Sequence, residues 1–274
     1  DYGGDGAGHI RIFANTTAVT EFMPDILAQF LSGHPGVTVD LQERLTRDIV
    51  RGVLDGTTDL LAAFVAEAQR FFAQVSVVAY PPDRQASYAA LERLARQTLA
   101  PHRRFILLGE SFSGPIALSI AARPPAGLAG LVLSTTFARN PVPILAPFAA
   151  LTRFAPVRQL PPAALRWALL GRWATPELET QLVRALGRIA PSVLRDRAAS
   201  ALRVDVGAQL AAITVPTLYL RASDDRLMHR SAGDLIVASI PGARRVDLPG
   251  PHLLLQTAPA ASAQAIARWF EALT

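Results

Sequence analysis

The stretch LLGESFSGPIALSI, residues 107–120, decides how the rest of the chain is read. It begins as the end of RFILLG (104–109), a nearly continuous apolar run that suits a parallel strand buried on both faces. It ends as a small-residue helix, PIALSIAAR (115–123), with Pro115 placed to open it. Little more than Gly and Ser lies between, so strand and helix are joined by a tight turn. Such a turn forces its central residue, Ser111, into a strained backbone and lifts the side chain above the sheet edge. There it would sit over a helix N-terminus, whose N–H groups and dipole favour a developing oxyanion. The competing reading is that Ser111 merely caps the helix. G-x-S-x-S alone favours the cap.

Outward from this stretch, strand and helix patterns alternate. LDGTTDLLAAFVAEAQRFF (54–72) gives a turn and a helix, VSVVAYP (75–81) a strand with a proline stop, and SYAALERLARQTL (87–99) an amphipathic helix. LAGLVLSTTF (128–137) is another apolar strand. After an interruption come VPTLYLRA (215–222), a strand; SAGDLIVASI (231–240), a helix; ARRVDLPG (243–250), a strand; and APAASAQAIARWFEAL (258–273), a closing helix. Alternation of this kind predicts α/β architecture, a mostly parallel sheet with crossover helices. The interruption, residues 139–210, is rich in Pro, Ala, Leu and Arg and reads as short helices punctuated by Pro161-Pro162, Pro176 and Pro191. An insertion between two sheet strands is most simply a small helical cap over the strands' C-terminal edge, where open α/β sheets bind ligands.

A serine nucleophile needs a base, and the base needs an orienting carboxylate. Of the five histidines, His9 and His34 lie near the N-terminus, His102 precedes a strand and His229 follows one at some distance. His252, in LPGPHLLLQ, comes directly after the strand ending at Leu248, which returns it to the sheet's C-terminal edge. RASDDRLM (221–228) supplies Asp224 and Asp225 after the preceding strand. The chain order is therefore Ser, Asp, His.

Residues 54–274 resemble a small α/β-hydrolase: GESFSG (109–114) resembles its nucleophile elbow, PTLYLRASDDRLM (216–228) its acid loop and GPHLLLQTAP (250–259) its histidine loop. The resemblance implies a serine hydrolase that cleaves carboxylic esters through an acyl-enzyme, with Ser111 as nucleophile and His252 as general base. The family's acid-loop pattern, G-x-x-D-x-x-V, aligns on Ala222–Met228 and makes Asp225 the acid; Asp224 is then a turn-capping carboxylate or a fallback. The backbone N–H of Phe112 would be one oxyanion donor and that of Leu54 the second. Two departures from the family pattern are small, Ser113 and Ala222 each standing where Gly is usual. The third is larger. Val53 replaces a Gly in RGVLDG (51–56), and the preceding LTRDIVRG reads as an amphipathic helix where the family has a buried strand. Loss of one oxyanion donor costs about two to three orders of magnitude in turnover, so a weak enzyme is one expectation. A catalytically impaired chimera, or a small-molecule binding module without turnover, is the alternative.

The N-terminal text has another style. GHIRIFANTTAVTEFMPDILAQFLSGHPGVTVDLQERL (8–45) is a β-α-β pattern: a strand over 10–14, a helix with Phe22, Ile26, Leu27, Phe30 and Leu31 at helical spacing, and a strand over 37–42 that alternates apolar and polar residues. Together with DIVRGVLDG it resembles the start of the effector-binding domain of LysR-type transcriptional regulators. That resemblance implies an effector position at Thr16 or Thr17, whose simpler role is to cap the helix. No DNA-reading helix pair is visible. The chain therefore divides into a regulator-like segment (1–53), a hydrolase core (54–138 and 211–274) and a cap (139–210). The hydrolase's usual first strands are missing, and one N-terminal strand is expected to fill their place in the sheet.

Composition narrows the rest. There is no cysteine among the 274 residues, which excludes disulfides and a thiolate nucleophile. The net charge of +5 rests wholly on arginine, because the chain has no lysine, and the arginines are scattered. A nucleic-acid surface would cluster them. No apolar run of about eighteen residues escapes a charge or proline, and no secretory leader opens the sequence. The expectations are a cytoplasmic chain with no cofactor, metal, nucleic-acid or membrane partner, a small-molecule ester as substrate, and self-association left open. Trp167 and Trp173 in the cap are candidates to hold an apolar acyl or alcohol group, or simply pack the cap helices.

Overall fold

The computed structural model describes residues 8–14, 37–43, 58–99, 104–142 and 161–273. The chain divides into two compact units, Asp1–Thr58 and Asp59–Thr274. In the first, strands β1 (Gly8–Ala14) and β2 (Val37–Glu43) pair in parallel, with Gly8 opposite Val37 and Ala14 opposite Glu43. The expected helix between them, Thr16 and Thr17, and His34 lie outside the described residues.

In the second unit, β3 (Phe105–Glu110), β4 (Leu128–Ser134), β5 (Thr217–Ala222) and β6 (Arg244–Leu248) form an all-parallel sheet in the order β3-β4-β5-β6. Its helices are α1 (Thr58–Ala68), α2 (Tyr88–Leu99), α3 (Gly114–Ala122), α7 (Arg230–Ser239), α8 (Leu254–Thr257) and α9 (Pro259–Glu271). The side-chain alternation of a strand sorts residues between two cores. Leu131 and Leu133 of β4 and Tyr219 of β5 join α2, α3 and Ile236 of α7 in one core. Val132 of β4 and Leu218 and Leu220 of β5 join Phe64 of α1 and Leu254, Ile266 and Trp269 of α8 and α9 in the other. Helices thus cover both faces, which is why these strands read as unbroken apolar runs.

Two expectations are corrected. VSVVAYP (75–81) is not a strand. Its Val75, Val78 and Tyr80 pack on the cores, but its backbone enters no ladder. Apolar alternation satisfies packing alone, whereas a strand also needs a neighbour in register. Nor, among the described residues, is an N-terminal strand part of the hydrolase ladder: β1 and β2 pair with each other in a two-stranded sheet of their own.

Between β4 and β5 lie α4 (Pro162–Leu169), α5 (Pro176–Arg188) and α6 (Pro191–Ala201). Each opens on the proline that the sequence marks as punctuation, and Thr175 caps α5 by accepting from the Leu178 N–H. Parallel pairing brings the C-terminal ends of β3, β5 and β6 to one edge, so the turns after them meet. No helix among the described residues is long and apolar enough to cross a membrane.

The joint between β3 and α3 is packed without slack. A Cβ on Gly109 would lie 2.7 Å from the Ala117 Cβ, and one on Gly114 would run into the side chain of Thr136. We expect Gly114→Ala to destabilise the protein by about 1–3 kcal/mol, read from denaturant melts. A midpoint equal to wild type would mean that Thr136 moves aside freely.

Candidate active site

Ser111 ends up where the turn forces it. It follows β3 directly, opens a single 3-10 turn (Ser111–Ser113) and has φ of +49°. That left-handed backbone costs a non-glycine residue about 1–3 kcal/mol. The Thr136 hydroxyl donates to the Ser111 carbonyl, and the Gly114 N–H does the same. Tyr219 in turn fixes Thr136, its hydroxyl donating to the Thr136 carbonyl (2.9 Å) and accepting from the Thr136 N–H (3.2 Å). Burial pushes the Tyr219 phenol up, so it stays protonated and keeps donating. Phe112 follows Ser111 at the N-terminal end of α3, where backbone N–H groups lack partners within the helix. Its ring stacks on Tyr88 with centroids 4.7 Å apart.

The Ser111 Oγ lies 2.8 Å from His252 Nε2. His252 Nδ1 lies 2.9 Å from Asp225 Oδ2. The other carboxylate oxygen of Asp225 accepts from the Leu227 and Met228 N–H groups, both at 2.8 Å. With Asp225 accepting at Nδ1, the proton belongs there and Nε2 is left to accept from the serine. His252 is only 1 % exposed, so the pair is shielded from competing water.

Asp224, the neighbouring carboxylate, faces away from His252. It accepts from the Trp173 indole N–H (2.9 Å) and from Arg172 (2.9 and 3.1 Å). Both partners sit in the turn after α4, so Asp224 clasps the cap to the acid loop. The end of α4 reaches the histidine loop, where the Leu253 N–H donates to the Leu169 carbonyl at 3.2 Å. Trp167 is 60 % exposed and lies under the Arg226 guanidinium, 4.9 Å from ring centroid. His229 accepts from the Ser231 N–H as the cap of α7. No group of three or more potential metal ligands occurs among the described residues. His9 belongs to β1, and His102 and Leu54 lie outside the described residues.

Sequence reading passed over Glu110, Thr136, Gln256, Arg172 and Tyr219. Glu110 left one signal, a carboxylate ending an apolar strand beside the serine. Tyr219 read as strand core, and nothing in the sequence links residue 172 to residue 224.

Comparison with known proteins agrees with this fold. Residues 85–248 match the family model described as serine aminopeptidase, S33. The chain belongs to that family of α/β-hydrolases. Residues 3–100 match the LysR substrate binding domain, well beyond the 8–53 that the sequence suggests, and the two matches overlap over 85–100. No curated protein matches the chain. Among solved structures, a hydrolase from Pseudomonas aeruginosa PA01 is 23 % identical, covers 96 % of this chain and 89 % of its own, and has a TM-score of 0.59. An esterase from Thermogutta terrifontis is 23 % identical over 80 % of this chain and 86 % of its own, with a TM-score of 0.61. One from Exiguobacterium antarcticum is 13 % identical over 79 % and 88 %, with a TM-score of 0.66. At these identities the likeness establishes the fold.

The Trp173 and Arg172 hydrogen bonds hold the Asp224 carboxyl below the usual aspartate range. A depressed folded value means that its contribution to stability is present above the ordinary aspartate value and is lost as pH falls through the folded one. On acidification from pH 7 to 2, Trp173 fluorescence should therefore change in wild type as the clasp opens. Asp224→Asn should lack that step; an identical acid transition in both proteins would discount the clasp.

Proposed function

We propose that the hydrolase unit cleaves carboxylic esters through an acyl-enzyme, with Ser111 as nucleophile, His252 as general base and then acid, and Asp225 as the group that orients the imidazole. The observation that carries this reading is the unbroken relay from Ser111 Oγ through His252 to Asp225, at 2.8 and 2.9 Å. Attack of Oγ on the ester carbonyl passes the hydroxyl proton to Nε2. The tetrahedral oxyanion forms beside the Phe112 N–H, and the imidazolium returns the proton to the departing alcohol. Water then repeats the sequence on the acyl-enzyme, releasing the acid and freeing Ser111.

The Phe112 N–H serves as one oxyanion donor; Leu54, which the sequence offers as the second, lies outside the described residues. Among the cap aromatics, Trp167 offers the more open apolar surface to a substrate. The Trp173 N–H is engaged by Asp224, which leaves its ring to pack or to wall the entrance. The two esterases among the structural relatives support the choice of substrate class, while the matched family's description keeps amide substrates in the comparison.

Hydrolysis of p-nitrophenyl acetate, butyrate and octanoate should be measured beside amino-acid p-nitroanilides. Esters should be cleaved, and Ser111→Ala or His252→Ala should lower kcat by about three orders of magnitude or more. Equal activity in wild type and Ser111→Ala would dismiss the triad. Cleavage confined to the anilides would move the substrate class to amides. A chain that neither turns over nor reacts with an organophosphonate at Ser111 would be a binding module.

A further inference from the structure

Glu110 is the last residue of β3, directly before the nucleophile, and the relay makes no use of it. Both of its carboxylate oxygens point to the helix that begins just beyond His252. One accepts from the Leu255 N–H at 3.3 Å, the other from the Gln256 side-chain amide at 2.8 Å. Leu255 and Gln256 belong to α8, only three and four residues after the base. They are nearly inaccessible, at 1 % and 6 % exposure. Part of the surface of Glu110 is open, yet the protein around its carboxyl is dense enough that burial pushes its pKa up, against the Gln256 bond and the His252 charge.

The placement is economical in chain length. Ser111 follows Glu110 directly, so its Cα is about 3.8 Å away. The histidine loop also begins α8, whose Leu254 N–H donates to the His252 carbonyl. A bond from residue 110 to residues 255 and 256 therefore joins the nucleophile's backbone to the base's backbone across the sheet edge. The other ties on the histidine loop come from elsewhere: Asp225 from the acid loop and Leu169 from the cap. Among the described residues, Glu110 alone links it by side-chain hydrogen bonds to the segment that carries the nucleophile, besides the reacting hydrogen bond itself. A partner group misplaced by about 1 Å costs up to about a hundredfold in rate, so such a tie has catalytic weight without touching substrate.

We propose that Glu110 is a positioning residue for His252, its carboxylate bracing α8 so that Nε2 stays within reach of Ser111. The proposal rests on the triad reading above. Gln256 offers a way to test it. Its Oε1 is buried with no partner among the described residues. In Glu110→Gln the new amide keeps a carbonyl for Leu255, and rotating the Gln256 amide presents Oε1 to the new N–H₂. Both bonds survive without the charge, while Glu110→Ala removes both.

The test compares wild type, Ser111→Ala, Glu110→Ala, Glu110→Gln and Gln256→Ala. It measures kcat and KM on p-nitrophenyl butyrate, and hydrogen exchange at the Leu255 amide. Glu110→Ala should lower kcat about ten- to a hundredfold with KM within about twofold, and speed Leu255 exchange. Glu110→Gln should recover most of both. Gln256→Ala removes one bond only, should fall between, and serves if Glu110→Ala does not fold. Wild-type kcat in the folded Ala variants overturns the proposal, as does an Ala-like kcat in Glu110→Gln, which would assign the effect to charge. If wild type cleaves no ester, the triad reading fails, and Leu255 exchange decides the brace alone: unchanged protection in the Ala variants overturns it.

Discussion

The left-handed backbone at Ser111 is the constraint on which the site depends. A φ of +49° is unfavourable for serine, so something must hold it. The structure does so with absences and one hydroxyl. Gly109 and Gly114 leave out the side chains that would part β3 from α3, and Thr136 takes the room left at Gly114 to bond the Ser111 carbonyl. Tyr219, two strands away, fixes Thr136 through both backbone groups. The strained residue is thus over-determined from the interior of the sheet, through Thr136 and Tyr219.

His252 and Asp225 are delivered by the same geometry in a looser form. Parallel strands end on one edge, so the loops after β5 and β6 reach the turn after β3 without long excursions. Loops alone would wander. Asp225 is fixed by two N–H groups of its own loop, Asp224 by the cap turn, and the histidine loop by Leu169. Adjacent carboxylates hence have different partners: Asp225 the His252 imidazole, Asp224 the turn after α4.

The N-terminal unit shows how far local likeness carries. Its text matches a regulator's ligand-binding domain, and β1 and β2 do pair in parallel, as a β-α-β unit requires. The family match runs on to residue 100, into α2, yet Leu91, Ala95 and Leu99 of α2 are buried in the hydrolase core beside α3. Family likeness follows the letters of the chain, whereas core membership follows which apolar face finds a partner.

By itself, the sequence determined most of the alternation of strands and helices, the parallel sheet, the helical insertion between β4 and β5, and the chain order of Ser111, Asp225 and His252. These are periodic or local signals, and backbone chemistry reads them within a few residues: apolar runs, prolines at helix starts, glycines at a tight turn. Tertiary structure decided what depends on distant neighbours. It left 75–81 out of the sheet, because a strand needs a paired edge as well as apolar residues. It gave Asp224, the fallback carboxylate of the sequence reading, to Trp173 and Arg172, 51 and 52 residues earlier in the chain. It also set Glu110 against Leu255 and Gln256, some 145 residues away. No periodicity encodes such a pair; it exists because two loops end at the same edge, where a buried carboxylate must find donors.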